Sequence, residues 1–151
     1  MDISASGKHE SNAADSALRV ELRYATLPFP LGWLAVHYWF VVFEPGGTCH
    51  RWEVWQTRDA GGASLGHLHC DLKAPDAGVG GGPARIAAEW TGEAAVKLKA
   101  ILEKAEAYPF CHRYLAWPGP NSNTFAAWVL REAGVQHELP WRALGRAFRV
   151  R

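Results

Sequence analysis

WLAVHYWFVVF (33–43), EPGG (44–47) and TCHRWEVWQT (48–57) form the stretch on which the fold turns. The first segment is apolar almost throughout, rich in Val and aromatics and broken only by His37. That is the pattern of a central strand buried on both faces. Pro45 fixes φ and the glycines after it accept positive φ, so the chain reverses there. The third segment then returns as the hairpin partner. Placing the turn near Pro45-Gly46 sets Phe43 opposite Thr48 and His37 opposite Val54. A one-residue change in the loop sets Glu53 opposite His37 instead, because hairpin register follows the turn.

Working outward, Leu18, Val20, Leu22 and Tyr24 alternate with Arg19, Glu21 and Arg23, which predicts a strand with one buried and one wet face. Pro28 and Pro30 keep the next segment extended. Further strands are expected over 64–73 and 84–90. Thr91 suits a helix N-cap, with Glu93 in the first turn. Leu98, Ile101, Leu102 and Ala105 make an apolar helical stripe that Tyr108-Pro109 ends. A rigid loop at Trp117-Pro118-Gly119-Pro120 leads to a second helix. It starts at Asn121 or Ser122, buries Phe125, Trp128 and Val129, and stops at Gly134. The expectation is an α+β fold: one antiparallel sheet packed against two main helices, over 17–151. The polar stretch 1–16 reads as a disordered tail without the apolar core of a signal peptide.

The chain has 151 residues, a net charge of +1 and 8 Trp against 4 Tyr and 6 Phe. That near-neutral balance lacks the basic excess of a broad nucleic-acid surface. Absence of any long apolar run argues against a transmembrane helix. Three cysteines without C-x-x-C spacing fit a reducing, cytoplasmic setting better than a disulfide scaffold.

Chemistry is expected around His37 and Ser122. An imidazole inside an apolar strand needs partners for its ring nitrogens. Glu53 is one candidate to orient it and His50 is the rival. Ser122, at the mouth of a helix, is the candidate nucleophile, and unpaired helix-start amides there suit an oxyanion. Trp39 and Trp52 share a face with His37 in the preferred register. With Asn121 and Asn123 they are candidates to line a cleft for a small-molecule or peptide-like ligand.

Trp117-Pro118-Gly119-Pro120-Asn121-Ser122-Asn123-Thr124-Phe125 resembles the signature of an uncharacterised bacterial family, a domain of unknown function marked by PGPNSNTF. The same family carries segments matched by His37-Tyr38-Trp39-Phe40, Trp52-Glu53-Val54 and Tyr108-Pro109. Its C-terminal LPxxAIGK block is matched by Leu139-Pro140-Trp141-Arg142-Ala143-Leu144-Gly145-Arg146. The family's usual acidic-aromatic ending is replaced here by Ala147-Phe148. More distantly, the order of strand His, polar residue on the next strand and late helix start is similar to circularly permuted NlpC-type papain-like proteins. That resemblance implies amide or ester hydrolysis or acyl transfer, with Ser122 standing where the nucleophilic Cys would be. The other implied possibility is a non-catalytic ligand-binding module of the same fold.

His67 and His69 have a spacing that metal sites use, but no third ligand follows at a matching spacing. They read as exposed strand histidines. No metal and no cofactor is expected. The glycines of 78–82 lack the Lys-Ser/Thr of a phosphate loop and read as a flexible connection. Arg142, Arg146, Arg149 and Arg151 read as a solvated tail.

Overall fold

The computed structural model describes residues 17–149. Six antiparallel strands form one sheet in the order β4-β5-β3-β2-β1-β6. They are β1 (Arg19–Thr26), β2 (Val36–Phe43), β3 (Cys49–Val54), β4 (Ala63–Leu65), β5 (Leu68–Cys70) and β6 (Arg85–Thr91). Helices α1 (Gly92–Leu102) and α2 (Ser122–Glu132) complete the α+β fold. The first helix is shorter than its apolar stripe suggested. It ends at Leu102, and Ala105 is buried from a separate 3-10 turn. The segment expected as one strand over 64–73 is the tight β4–β5 hairpin.

Alternation along β2 splits the interior in two. Val36, Tyr38, Phe40 and Val42 point into the main core, with Val20 and Leu22 of β1, Leu98 and Leu102 of α1, and Phe125 and Val129 of α2. Trp39 and Val41 point to the opposite face and pack with Ala25, Val79 and Ala84. Among the described residues no helix covers that second face. Residues 71–84 do so, with Pro75 O accepting from Trp39 Nε1 at 3.0 Å.

The glycine patch is therefore a packed cover rather than a flexible connection. A Cβ on Gly81 would fall 2.0 Å from Leu27 O and 2.3 Å from Thr26 O. The same cover overturns the wet face expected of β1. Glu21 is buried, with Arg23 Nε at 2.6 Å and Arg19 Nη2 at 3.5 Å.

Hairpin register also departs from both expected alternatives. Glu44 N donates to Thr48 O at 2.8 Å, closing a three-residue loop in which Gly46 and Gly47 take φ of 103° and 92°. Phe43 consequently pairs with Cys49 and Phe40 with Trp52. Continued along the strands, this register puts Trp55 opposite His37. Glu53 is its diagonal neighbour.

Candidate functional site

His37 lies on the sheet face opposite the two helices. It is buried, and its Nε2 pairs with Glu53 Oε2 at 2.7 Å. The same carboxylate oxygen accepts from Arg51 Nη2 at 2.8 Å, while Glu53 Oε1 has no partner among the described residues. Arg51 and Glu53 are both fully buried. Nη1 of Arg51 donates to Ala74 O at 2.8 Å and Ala77 O at 2.7 Å, and its guanidinium lies 4.1 Å over the Trp39 ring. The 71–84 cover thus supplies the carbonyls that make a buried guanidinium tolerable.

Charge states follow from these contacts. Burial lowers the pKa of His37, and the Glu53 contact opposes that shift without cancelling it. Burial alone would raise Glu53, but its bonds to His37 and Arg51 outweigh burial and hold it below the usual carboxylate range. The imidazole is thus neutral, donates Nε2–H to the carboxylate and keeps a lone pair on Nδ1. Nδ1 has no protein partner among the described residues. Trp55 stands edge-on to the ring at 4.7 Å, and Trp39 is tilted against it at 5.8 Å.

These shifts give stability a definite pH dependence. Unfolded His37 takes up a proton near its ordinary pKa of 6.5, whereas the folded residue resists it. Below that pH the unfolded chain binds more protons, so stability falls on acidification. Glu53 adds loss of the same sign as pH falls below its ordinary 4.5. Urea unfolding at about pH 7.5 and about pH 5.5 is expected to show this loss, with a smaller difference in His37→Gln.

The second half of the site is the start of α2. Asn121, not Ser122, is the N-cap. Its Oδ1 accepts from the amides of Asn123 at 3.0 Å and Thr124 at 3.2 Å, and Thr124 Oγ1 accepts from the Asn121 amide at 3.0 Å. The expected free helix-start amides are therefore mostly consumed by the cap. The amide of Ser122 has no partner among the described residues.

Asn123 joins the helix to the strand. Its Oδ1 accepts from Tyr38 N at 3.2 Å, and its Nδ2 donates to Val36 O at 2.8 Å and Leu144 O at 3.0 Å. The β2–β3 ladder has stopped at Phe40. One side-chain amide thus takes the role of a strand peptide group on either side of His37. Ser122 is buried next to this clamp. Its hydroxyl meets Asn123 Oδ1 at 3.5 Å and makes no hydrogen bond to His37.

The C-terminal block closes the same corner, so Arg142 is not part of a solvated tail, while Arg149 is exposed as expected. Asn121 Nδ2 donates to Ala116 O at 2.9 Å and Leu144 O at 3.0 Å, Thr124 Oγ1 donates to Gly145 O at 2.8 Å, and Arg142 reaches Gly32 O. Gly145 has φ of 91°, and a Cβ there would sit 2.4 Å from Asn121 Nδ2. Arg151 lies outside the described residues.

Other expected site residues fall elsewhere. His50 is on the helix side of the sheet and cannot orient His37; it pairs with Asp71. Trp52 is also on that side, where it lines a cleft of about 230 Å³ with His50, Val42 and Lys99. Trp39 is fully buried against the second face of the sheet. His67 and His69 are buried rather than exposed. His67 Nδ1 bonds Trp55 O at 2.9 Å, and His69 bonds Ser64 Oγ at 2.7 Å and Thr57 O at 2.9 Å. Sequence reasoning missed Arg51 and Trp55. The signal available for Arg51 was a charged residue in a strand whose neighbour is buried on both faces.

No helix of the described residues is long and apolar enough to cross a membrane. No curated protein and no solved structure matches the chain. A family model does match residues 17–148, a span that takes in β1, the His37–Glu53–Arg51 cluster, the α2 start and the C-terminal block. The chain belongs to the family described as protein of unknown function DUF3750.

Proposed function

We propose that the domain is a serine-dependent hydrolase or acyltransferase of papain-like design, acting on an amide or ester. The observation that carries this reading is the Asn123 clamp, which holds the backbone on both sides of His37 and joins it to the residue after Ser122. In the proposed reaction Ser122 Oγ attacks the acyl carbon and His37 Nδ1 takes its proton. Glu53, fixed by Arg51, stabilises the resulting imidazolium through Nε2. The Ser122 amide receives the oxyanion. His37 then returns the proton to the leaving group, and water or an acceptor alcohol or amine cleaves the acyl-enzyme. Ser122 and His37 make no hydrogen bond in the free domain and His37 faces away from the helices, so the reaction requires the two to meet past the edge of β2, where β3 has left the ladder.

A fluorophosphonate probe tests this directly. Wild-type protein is expected to be labelled, with labelling abolished in Ser122→Ala and reduced at least ~100-fold in His37→Gln. Unchanged labelling of the Ser122→Ala protein overturns the assignment.

A second reading, as a ligand-binding module, has its own observation. Trp33, Trp117 and Trp141 are 80%, 65% and 61% exposed, and Phe29, Leu31 and Leu34 are exposed beside them. The bond from Val36 N to Arg142 O, and those from Asn121 to Ala116 and Leu144, gather their segments at one end. Residues 27–35, 112–121 and 139–149 hold no Asp or Glu but include Arg113, Arg142, Arg146 and Arg149. Protruding aromatics with arginines and no acids suit an anionic lipid surface. Sedimentation with phosphatidylglycerol vesicles is expected to carry the protein down, and Trp33→Ala/Trp141→Ala to release it. Equal sedimentation with neutral phosphatidylcholine vesicles counts against this reading.

A further inference from the structure

On the helix side of the sheet a second group of chemically active side chains comes together. Cys70 pairs with Trp52 across β5 and β3, so its thiol lies on the Trp52 side. His50, two residues from Trp52, shares that side. Asp71 follows β5 with φ of 59°, a left-handed conformation rare for a residue with a side chain. That turn brings its carboxylate back over the strand. One ligand atom each from His50, Cys70 and Asp71 then lies within 4.8 Å of the others.

The carboxylate is already oriented as a ligand would be. Asp71 Oδ1 accepts from Arg51 N at 2.7 Å, and the Asp71 amide donates to Arg51 O at 2.8 Å. Its other oxygen, Oδ2, meets His50 Nδ1 at 2.7 Å. Backbone contacts of this kind hold first ligands in place in metal sites. His50 and Trp52 also line the 230 Å³ cleft against α1, where Glu44, Lys99 and Glu103 stand.

We propose that His50, Cys70 and Asp71 bind one divalent transition metal of the zinc class, with a fourth position open beside the α1 cleft. The donor set decides the class. Calcium and magnesium seek oxygen ligands, whereas a mixed nitrogen, sulfur and oxygen set suits zinc and its neighbours. Tetrahedral bonds of this type separate ligand atoms by about 3.5 Å, so rotamer adjustment closes the set. His50 and Asp71 are exposed and can make that adjustment. On binding, Cys70 loses its thiol proton to solvent and His50 moves its ring proton to Nε2, freeing Nδ1. The thiolate and carboxylate then balance the two positive charges of the metal, and one proton is released per ion bound. Three protein ligands with an open fourth position is the pattern of a reactive rather than a purely structural zinc site.

Cobalt(II) titration of the reduced full chain tests the proposal, because cobalt reports a bound thiolate by a charge-transfer band. The expected result is a band saturating at one equivalent, displaced by zinc, absent in Cys70→Ser and retained in Cys49→Ser. His50→Ala and Asp71→Asn, both at exposed positions, are expected to weaken binding by more than the roughly 10–100-fold typical of losing an outer-shell partner. Absence of a saturable band overturns the site. So does a band that survives Cys70→Ser, or affinity left unchanged by both other substitutions.

Discussion

Glu53→Ala is expected to destabilise the domain by about 3–5 kcal/mol, measured by urea unfolding near neutral pH. The figure reflects a stranded charge rather than the loss of one contact. Arg51 is fully buried and Glu53 is the only carboxylate that its guanidinium meets among the described residues. Removing Glu53 leaves a cation in a low-dielectric interior with no anion, only the carbonyls of Ala74 and Ala77 and the face of the Trp39 ring. His37 loses its Nε2 acceptor in the same step. Arg51→Met/Glu53→Leu separates the two causes. Removing both charges is expected to recover at least ~1 kcal/mol relative to Glu53→Ala, since apolar replacements of buried ion pairs are often well tolerated. A double variant as unstable as the single one shows that the charge is not what the carboxylate neutralises.

Asn123→Ala is expected to cost about 3 kcal/mol, against less than ~1 kcal/mol for Ser122→Ala at the adjacent position. The difference rests on what each side chain satisfies. Asn123 caps the Tyr38 amide and the Val36 carbonyl, which have no strand partner on that side once β3 leaves the ladder, whereas Leu144 O keeps its bond from Asn121. Deleting its amide orphans buried backbone polar groups, each worth roughly 1–3 kcal/mol. Ser122 Oγ makes only the long contact to Asn123, so its removal strands nothing. Parallel denaturation curves for the two variants therefore separate a structural residue from a reactive one within a single motif. Comparable losses in both overturn the distinction.

Periodicity made the architecture legible. Alternation in β1, the apolar run of β2 and the stripe of α1 are local consequences of strand and helix geometry. The start of α2 at Asn121 or Ser122 was likewise visible, whereas the reciprocal Asn121–Thr124 capping box was not, since Thr stands where the motif usually has Glu or Gln. Register was not legible, because Pro45-Gly46-Gly47 can close a loop of more than one length. That one residue decided which side of the sheet took His50 and Trp52, and whether Glu53 met His37 directly or diagonally. A stronger constraint lies in β2 itself. A β2 buried on both faces, with both helices on one side, requires another segment to cover the second face. The Gly-rich stretch that reads as a loose connection is that segment, because glycine alone allows its backbone to lie against Thr26 and Leu27. The His50–Cys70–Asp71 group could not be read from spacing at all. It is assembled from two strands and one left-handed turn.

The side-chain amide of Asn123 has a mechanical consequence. Where β2 runs past its neighbour, its next partner is not chain but one rotamer borne by a helix. The hydrogen on Tyr38 nitrogen is therefore a gauge. It can exchange with deuterated solvent only when the mouth of α2 lifts from the sheet, so its protection measures how often that corner opens.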